Sequence, residues 1–473
     1  MRHTLDRRGF LALAAGSGTL GLAGMLGSCS MPQGPSSAPP TPPLRTLRAG
    51  AFRQPLLGPG EAETPVWGYE GSVPGPVLRY RQGERLVVEV ENALEVDTTV
   101  HFHGIRLPNA MDGVPHLTQA PIALNGGRFV YDFTLPDAGT YWYHPHLASS
   151  GQVGRGLYGA LIVEEARPPE VDRDIVCVLS DWRLDREGRI VGNFANAHDA
   201  THAGRIGNTI TVNGHVRAAL EVRAGERIRL RLVNAANARI FNLAFEGHAP
   251  VVIALDGHPV APHAPADGHV LLGPAQRADL ILDCAGTPGN VYRVIDASPH
   301  GRPHRVLDLA YATTPALGVQ RGPVTALEPN PVAHPDLANA TTHRIVFAGG
   351  MMGKLPDQKA HPGMFWTVNG TPYPADTHDH APMLKLAVGR SYRMELVNDT
   401  AWPHPIHLHG HAFRILSRDG KPLPRETWSD TVLLDADEGA EIAFVADNPG
   451  KWMFHCHILE HQASGMMAVI EVA

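Results

Sequence analysis

Charged residues and helical patterns are both scarce in this sequence. Charged residues make up 18% of the 473 positions, the net charge is −7, and no run or stripe of basic residues is present. These features argue against a nucleic-acid partner, because proteins that bind nucleic acids carry a basic surface. Amphipathic helical periodicity is nearly absent, whereas 49 glycines and 41 prolines are typical of many short strands joined by turns. The composition predicts an all-β protein, and the length is sufficient for two or three domains.

A long apolar segment of the kind that spans a membrane is also missing. The apolar run near the N-terminus is short and glycine-rich, follows Arg7 and Arg8, and leads into proline-rich sequence. This arrangement predicts a twin-arginine export signal over residues 1–29, and hence a periplasmic or otherwise exported protein. The tetrapeptide LGSC favours a lipid anchor at Cys29, with ordinary cleavage nearby as the alternative. Residues 30–44 would then form a Pro/Ser-rich tether.

The stretch HCHILEHQASGM near the C-terminus is the feature around which the chain is organised. The residues before it, NPGKWMF, are typical of a strand, on which successive side chains point to opposite faces. His455 and His457 then share one face and Cys456 points to the other, so one segment serves two metal sites. A blue-copper centre uses one Cys, two His and a distant Met, and this segment offers Cys456, His461 and Met466. A single cysteine with distant histidines and a methionine is, by contrast, poor zinc chemistry.

Histidines also occur as His-x-His pairs, whose members lie on one face of a strand. The four pairs are His101 with His103, His144 with His146, His407 with His409, and His455 with His457. Eight imidazoles can hold three copper ions and leave positions open for dioxygen. His404, in the stretch HPIHLHGH, can supply the second histidine of the blue-copper set. Four pairs together with a Cys-His-Met set indicate bound metal far more strongly than a single pair does.

These motifs resemble those of the multicopper oxidase family, the laccases, bacterial metallo-oxidases and their relatives, over about residues 50 to 473. The resemblance implies four copper ions, namely a type 1 ion, a type 2 ion and a binuclear type 3 pair. The type 1 ligands would be His404, Cys456, His461 and axial Met466, the type 2 ligands His101 and His407, and the type 3 ligands His103, His144, His146, His409, His455 and His457. It also implies three cupredoxin-like Greek-key β-sandwich domains. The implied reaction is one-electron oxidation of a reducing substrate coupled to four-electron reduction of dioxygen to water.

Two internal patterns indicate three copies of one sandwich unit. A Gly, alternating apolar residues and an Asn nine positions later recur as GERLVVEVEN, GERIRLRLVN and GRSYRMELVN. A Gly followed by a short strand recurs at Gly139, Gly289 and Gly450. We therefore predict domains at residues 45–166, 167–318 and 340–473, with a linker at 319–339.

The same spacing predicts which domains carry ligands. Nine and eleven residues after the repeated Asn, the first and third copies have histidines, whereas the middle copy has Leu243 and Phe245. Five and seven residues after the later Gly, the middle copy has Val294 and Asp296 in place of histidines. The middle domain should lack copper ligands, and the cluster should lie between the first and third domains.

Reduction of dioxygen to water also consumes protons. The resemblance assigns an acidic role near the cluster to Asp112 in PNAMDGVP, although an ordinary turn aspartate would explain the same sequence. Many bacterial relatives carry a carboxylate directly after the second type 1 histidine, where this chain has Gln462. Because an amide cannot act as an acid, we expect that either Glu460 or water substitutes or that turnover is slower.

The sequence determines the reducing substrate least well. Copper-exporting relatives have a Met-rich insertion over the type 1 site, and the comparable stretch here contains Met351, Met352, His361 and Met364. Packing in the core is the more common role for so few methionines. Trp402 favours an aromatic or apolar rim, and Asp399 or Asp430 could accept a phenolic proton or be ordinary loop residues. We expect a phenolic or aromatic substrate, with cuprous ion, and hence copper tolerance, as the alternative.

Two other classes of protein share parts of this pattern. A copper-free cell-division or scaffold protein of the same fold would not need Cys456 and the eight paired histidines. A two-domain nitrite reductase would lack the eight-imidazole set.

Cys177 and Cys284 lie in strand-like runs of the middle domain, where export permits a disulfide but two buried thiols are favoured. We expect the protein to act as a monomer.

Overall fold

The computed structural model describes residues 44–297, 303–374 and 381–473. The predicted export signal, the lipidation site at Cys29 and the tether up to residue 43 lie outside the described residues. Within the described ranges, no helix is both long and apolar enough to cross a membrane. The described residues are mostly strands with a few short helices, which confirms the all-β prediction.

The first pair of sheets is built from residues 45–164. Its elements are β1 (Arg45–Gln54), β2 (Thr64–Tyr69), β3 (Gly75–Arg81), β4 (Arg85–Asn92), β5 (His101–His103), β6 (Gly127–Thr134), β7 (Gly139–His144), α1 (Ser149–Val153) and β8 (Gly159–Glu164). The strand orders are β2-β1-β4-β6 and β3-β8-β7-β5. In β4 every second residue is buried, as in Leu86, Val88 and Val90, which is the period-two pattern of a strand with one face on a core. Each such buried side chain contributes roughly 1.5–3 kcal/mol relative to leaving it exposed.

The second pair of sheets is built from residues 173–311. Its elements are β9 (Arg173–Trp182), α2 (Ala197–Thr201), β10 (Thr209–Val212), β11 (Ala218–Val222), β12 (Arg227–Asn234), β13 (Phe241–Phe245), β14 (Val251–Leu255), β15 (His258–His263), β16 (His269–Leu272), β17 (Arg277–Asp283), β18 (Val291–Asp296) and β19 (His304–Tyr311). The strand orders are β10-β9-β12-β17-β14-β15 and β11-β19-β18-β13-β16. The apolar side chains between these two sheets form a core of their own.

The third pair of sheets is built from residues 341–472. Its elements are β20 (Thr341–Gly349), β21 (Trp366–Val368), β22 (Leu384–Leu386), β23 (Ser391–Asp399), β24 (His404–Leu408), β25 (Phe413–Arg418), β26 (Lys421–Ser429), β27 (Thr431–Leu434), β28 (Gly439–Val445), β29 (Gly450–Cys456), α3 (Leu459–Ala463) and β30 (Met467–Val472). Two short 3₁₀ helices elsewhere in the chain span Asn109–Met111 and Ala266–Gly268. The strand orders are β21-β20-β23-β28-β25-β26 and β22-β30-β29-β24-β27. Buried residues of the first and third sheet pairs belong to one continuous core, so these two sandwiches meet directly.

The repeated Asn has the same role in all three sandwiches. Asn92, Asn234 and Asn398 end or nearly end β4, β12 and β23, and all three are buried. The side-chain amide of each donates to backbone carbonyls, including those of Ile122, Leu272 and Asp435 respectively. A buried amide that closes a loop in this way explains why the sequence returns to Asn at this point.

In all three sandwiches, the strand that follows the repeated Asn pairs with the strand that follows the later Gly. His101 lies opposite His144 in the first sandwich, and His407 lies opposite His455 in the third. In the middle sandwich Leu243 lies opposite Asp296, and Val294, at the position equivalent to His144 and His455, lies opposite Phe245. The same strand pair is therefore present three times, twice with imidazoles and once without them.

Candidate metal centres

Four strands bring the eight paired histidines into one buried region between the first and third sandwiches. β5 and β7 carry or precede the first four, and β24 and β29 carry or precede the other four. The ring of His101 stacks on that of His409 with 4.1 Å between centroids, and His103 stacks on His407 at 3.8 Å. None of the eight is more than 4% exposed. The residues that the spacing places on the ligand faces thus lie together.

Within this cluster, the ring nitrogens form overlapping groups of metal-binding size. Groups whose nitrogens all lie within 4.8 Å of one another are His101, His103 and His144, then His101, His407 and His409, then His146, His409 and His455. Each group contains residues from more than one segment of the chain, and the last two groups join the first sandwich to the third. Metal bound here would connect the two sandwiches.

The hydrogen bonds of the cluster leave one nitrogen of most rings free. Nδ1 of His101 donates to the carbonyl of Asp112 at 2.7 Å, and Nδ1 of His407 donates to the carbonyl of Asp430 at 2.8 Å. The buried nitrogens without a partner include Nε2 of His101, His144, His146 and His407, Nδ1 of His103, and both nitrogens of His457. Nε2 of His409 and Nε2 of His455 point at each other across 3.0 Å. Since a buried unpaired nitrogen costs about 1–3 kcal/mol, so many of them in one place fit a site built to bind metal through imidazole, a donor that suits copper.

Asp112 holds two of these rings from outside the cluster. It is fully buried, its carboxylate accepts from Nδ1 of His409 at 2.9 Å, and its carbonyl accepts from His101. Partners of this kind fix the orientation and tautomer of metal-binding imidazoles. The carboxylate predicted to serve oxygen reduction therefore lies directly against the cluster.

The prediction that Asp430 accepts a proton from a phenolic substrate is wrong. Its carboxylate is buried and accepts two hydrogen bonds from Arg277, at 2.9 and 2.6 Å, and one from Nε2 of His103 at 3.1 Å. Burial alone would raise the pKa of Asp430, but Arg277 and His103 hold that pKa well below its usual range. Asp430 belongs to the imidazole cluster, and a substrate at the protein surface cannot reach it.

The second centre lies around Cys456 on the opposite face of β29. Sγ of Cys456 lies 3.5 Å from Nδ1 of His404 and 3.8 Å from Nδ1 of His461, and these two nitrogens are 3.1 Å apart. The other nitrogen of each ring is already engaged, by the Thr400 hydroxyl at 2.9 Å and by the His202 carbonyl at 2.6 Å. Both imidazoles thus aim Nδ1 at the sulfur, which is the arrangement of a Cys-His-His metal site.

Met466 and Trp366 complete the surroundings of this centre. Met466 is fully buried, and its backbone bonds to Cys456 and to His461. The ring of Trp366 packs at 5.0 Å from His404 and at 4.3 Å from His461. Burial raises the pKa of the Cys456 thiol, so in the metal-free protein the sulfur is protonated and metal binding has to release that proton.

The outer rim of the Cys456 centre combines aromatic, imidazole and thioether groups. Trp402 is half-buried, its ring lies 5.3 Å from that of His202, and its Nε1 donates to the carbonyl of Met351 at 3.0 Å. Met351 is 44% exposed and Met352 is 85% exposed, so the expectation that these methionines fill the core is wrong for both. They sit in a loop without strand or helix, where no partner sheet covers them. Asp399 is exposed at the end of β23, and its role as a proton acceptor stays a prediction.

Glu460 contacts the middle sandwich, whereas Gln462 contacts the imidazole cluster. The carboxylate of Glu460 accepts from the Arg205 backbone at 3.0 Å and from the Asn237 side chain at 3.1 Å, both in the middle sandwich. The side-chain amide of Gln462 instead lies 3.5 Å from Nδ1 of His146. This geometry argues against Glu460 as the substitute proton donor.

Cys177 and Cys284, in the same sandwich as Arg205, are buried free thiols, as predicted.

Two contributors to the centres have no signal in the sequence. Arg277 comes from the middle sandwich, and its partner Asp430 is 153 residues away. His202 acts on His461 through its backbone carbonyl, a group that every residue has. A search for ligand types and spacings cannot find either of them.

The copper-free protein should lose stability as the pH falls. Burial lowers the pKa of His144, and of most other histidines in the cluster, well below the ordinary value. The unfolded chain takes up protons below about pH 6.5 while the folded chain does not, so each such histidine removes up to about 1.4 kcal/mol of stability per pH unit. Urea unfolding with a chelator present, at neutral and at mildly acidic pH, measures this slope. His144→Gln should reduce the slope and His198→Gln should not, because the His198 side chain is 77% exposed; a flat profile in the unmutated chain contradicts the prediction.

Comparison with known proteins places the chain in a family. Three multicopper oxidase family models match residues 54–168, 173–313 and 352–473. The chain is 31% identical to the multicopper oxidase MmcO of Mycobacterium tuberculosis, over 98% of this chain and 96% of that protein. Among solved structures, a multi-copper oxidase from Pseudomonas thermotolerans has a TM-score of 0.82 and 37% identity, covering 91% of this chain and 99% of the other. A multicopper oxidase from Campylobacter jejuni, described as a metallo-oxidase, has a TM-score of 0.75 and 26% identity, covering 91% of each chain. The chain belongs to the multicopper oxidase family, copper-binding oxidoreductases that use oxygen and are built from cupredoxin-like sandwiches.

Proposed function

We propose that this multicopper oxidase is laccase-like, taking electrons one at a time from a phenolic or aromatic substrate and reducing dioxygen to water. The observation that carries the proposal is the half-buried Trp402 at the rim of the Cys456 centre, where a flat apolar molecule can pack. We further propose that the protein acts after export through the twin-arginine signal at residues 1–29. The comparisons support an oxygen-using oxidase, and the choice of substrate is our inference from the rim.

We assign the four copper ions implied by the resemblance to the two buried centres. His404, Cys456, His461 and Met466 would hold the type 1 ion, His101 and His407 the type 2 ion, and the other six paired histidines the type 3 pair. The free nitrogens of the cluster support this assignment, as does the aim of two Nδ1 atoms at Sγ of Cys456. Bound copper would supply the one-electron redox chemistry and the reduction of dioxygen. Cys456 is bonded through the backbone to His455 and His457, so the chain itself links the two centres.

The rim gives a substrate a short connection to the Cys456 centre. Nε2 of His461 donates to the carbonyl of His202, and the ring of His202 lies against Trp402. A molecule that packs on Trp402 is therefore separated from a ligand of the centre by one residue and one hydrogen bond. Asp399 is exposed one residue before Thr400, which bonds His404, and we propose that it accepts the proton that a phenol releases on oxidation.

Trp402→Ala should raise KM for a phenol by about tenfold without changing the blue absorption of the copper-loaded protein. Loss of an aromatic contact of about 1.4 kcal/mol corresponds to that factor. Steady-state assays with a phenol and with cuprous ion, on one copper-loaded preparation, make the measurement. Trp67→Ala is the matched control, because Trp67 is equally half-buried but lies in the first sandwich. An unchanged KM for the phenol in Trp402→Ala would count against the phenolic assignment.

Cuprous ion is the second candidate substrate, and one observation favours it. Met351 and Met352 are exposed beside Trp402, and thioethers are preferred ligands of monovalent copper. Faster turnover of cuprous ion than of the phenol in the same assays would favour a role in copper tolerance. The copper-free scaffold alternative predicts that the purified chain stays colourless when copper is supplied.

A further inference from the structure

Arg277 reaches the imidazole cluster from the sandwich that supplies no ligand. It begins β17, and its side chain is fully buried. Its guanidinium donates to both carboxylate oxygens of Asp430, at 2.9 and 2.6 Å, and to the carbonyl of Thr140 at 3.1 Å. One side chain of the middle sandwich is thus bonded to both sandwiches that carry histidines.

Asp430, which Arg277 holds, is in turn hydrogen-bonded to two rings of the cluster. Its Oδ1 accepts from Nε2 of His103 at 3.1 Å, and its backbone carbonyl accepts from Nδ1 of His407 at 2.8 Å. These two rings stack on each other at 3.8 Å, one from the first sandwich and one from the third. The position of Asp430 therefore affects both halves of the cluster at once.

His103 presents the opposite nitrogen to that of its neighbours. His101, His144 and His407 all donate through Nδ1 to a carbonyl and keep Nε2 free. In His103 it is Nε2 that donates, to Asp430, and Nδ1 that is buried without a partner. A carboxylate only accepts hydrogen bonds, so it requires the tautomer with hydrogen on Nε2 and leaves the lone pair on Nδ1.

The hydroxyl of Thr431 shows why the position of Asp430 matters. It lies 3.2 Å from Nε2 of His103 but donates to Oδ1 of Asp430 at 2.7 Å. If Asp430 moved away, this hydroxyl could donate to Nε2 of His103 instead. The ring would then carry its hydrogen on Nδ1, where it cannot bind metal.

Arg277 is held by both hydrogen bonds and packing. Its guanidinium lies 5.7 Å from the centre of the Tyr141 ring, and the residue lines a cavity of about 420 Å³ together with Asp256 and Ser429. Its backbone N–H also donates to Asp256 at 2.8 Å. A shorter or uncharged side chain can be accommodated there without a clash, which makes the residue suitable for substitution.

We propose that Arg277 is a positioning residue of the imidazole cluster, which holds Asp430 in place as an acceptor and so sets the tautomer of His103 and the orientation of His407. This inference rests on the proposed copper function. It gives the middle sandwich a part in metal binding although that sandwich contributes no ligand. The Cys456 centre, on the opposite face of β29, is outside the reach of this network.

The test compares Arg277→Met, Arg277→Lys and Arg229→Met in the full copper-loaded chain. Arg229 is the matched control, because its side chain is equally buried and pairs with Glu165 and Asp279, which bond arginines and the Thr140 hydroxyl but no histidine of the cluster. We measure copper per protein after competition with a chelator, the type 2 signal in electron paramagnetic resonance, and the blue absorption band. Arg277→Met should keep the blue band, show an altered type 2 signal and bind cluster copper about 10–100-fold more weakly. Arg277→Lys should recover part of this loss, because it keeps the charge, and Arg229→Met should match the unmutated protein.

Three outcomes would overturn the inference. One is an unchanged type 2 signal with unchanged copper retention in Arg277→Met, and another is an equal loss in Arg229→Met, which would indicate a general effect on folding. If Arg277→Met does not fold, Asp430→Asn serves in its place, and normal copper retention in that variant also counts against the inference. If the unmutated chain itself binds no copper and shows no blue band, the proposed function fails, and that result is distinct from a failure of Arg277 alone.

Discussion

Replacing Cys456 with serine should abolish the blue absorption of the copper-loaded protein and lower substrate oxidation by more than about 1000-fold, or roughly 4 kcal/mol in barrier. Sγ of Cys456 is the atom at which Nδ1 of His404 and Nδ1 of His461 are aimed. A serine hydroxyl has nearly the same shape but does not supply the soft anionic sulfur that a blue-copper site needs. The imidazole cluster lies on the other face of β29 and should still take up copper. Absorption spectra, copper content and steady-state turnover of a phenol together measure the result.

Cys177→Ser is the control for this substitution. Cys177 is a free thiol, 3% exposed, in the middle sandwich, so the same chemical change is made in an equally buried place. This variant should keep the blue band and the turnover of the unmutated protein. A blue band that survives in Cys456→Ser would mean that Cys456 is not a copper ligand, and the assignment of the second centre would have to be abandoned.

The ligand faces could be predicted from the sequence because strand geometry is strictly periodic. His455 and His457 share a face for the same reason that Cys456 points away from it, and a constant distance from the repeated Asn puts His101 and His407 at equivalent positions. The register then follows, with each first histidine of one pair opposite a first histidine of the other. Local spacing and three copies of one unit were sufficient for this part of the structure.

The surroundings of the centres could not be predicted, because they depend on contacts between distant sandwiches. Nothing near Asp430 in the sequence indicates that Arg277 will neutralise it, so the sequence was equally compatible with a proton acceptor for a phenol and with an ordinary loop residue. Likewise, adjacent methionines are compatible with a core or with an exposed loop, and only the packing of residues 350–365 decides between them. Residue type and spacing predict ligands, whereas charge pairing and exposure depend on how the sandwiches meet.

Asp112→Asn should lower kcat for oxygen-coupled turnover by about 100-fold or more while leaving the copper content unchanged. The amide oxygen of asparagine can still accept from Nδ1 of His409, and the backbone carbonyl can still accept from His101, so the geometry of the cluster should be kept. What is lost is a buried carboxylate that can take up and release a proton beside the cluster. Oxygen consumption measured with saturating phenol, together with copper content, separates a loss of proton transfer from a loss of metal.

Glu460→Gln provides the comparison that decides where the protons come from. Burial raises the pKa of Glu460, which would suit a proton donor, but both of its oxygens are bonded to Arg205 and Asn237 in the middle sandwich. The raised pKa of Glu460 favours a role as proton donor, whereas its position argues against that role. We expect its position to be decisive, because a donor must reach the acceptor through a hydrogen bond or a single water. Glu460→Gln should then retain turnover within about twofold, whereas Asp112→Asn should not. The reverse order of effects would mean that protons enter from the middle sandwich past α3, and that Asp112 serves only to hold His101 and His409 in place.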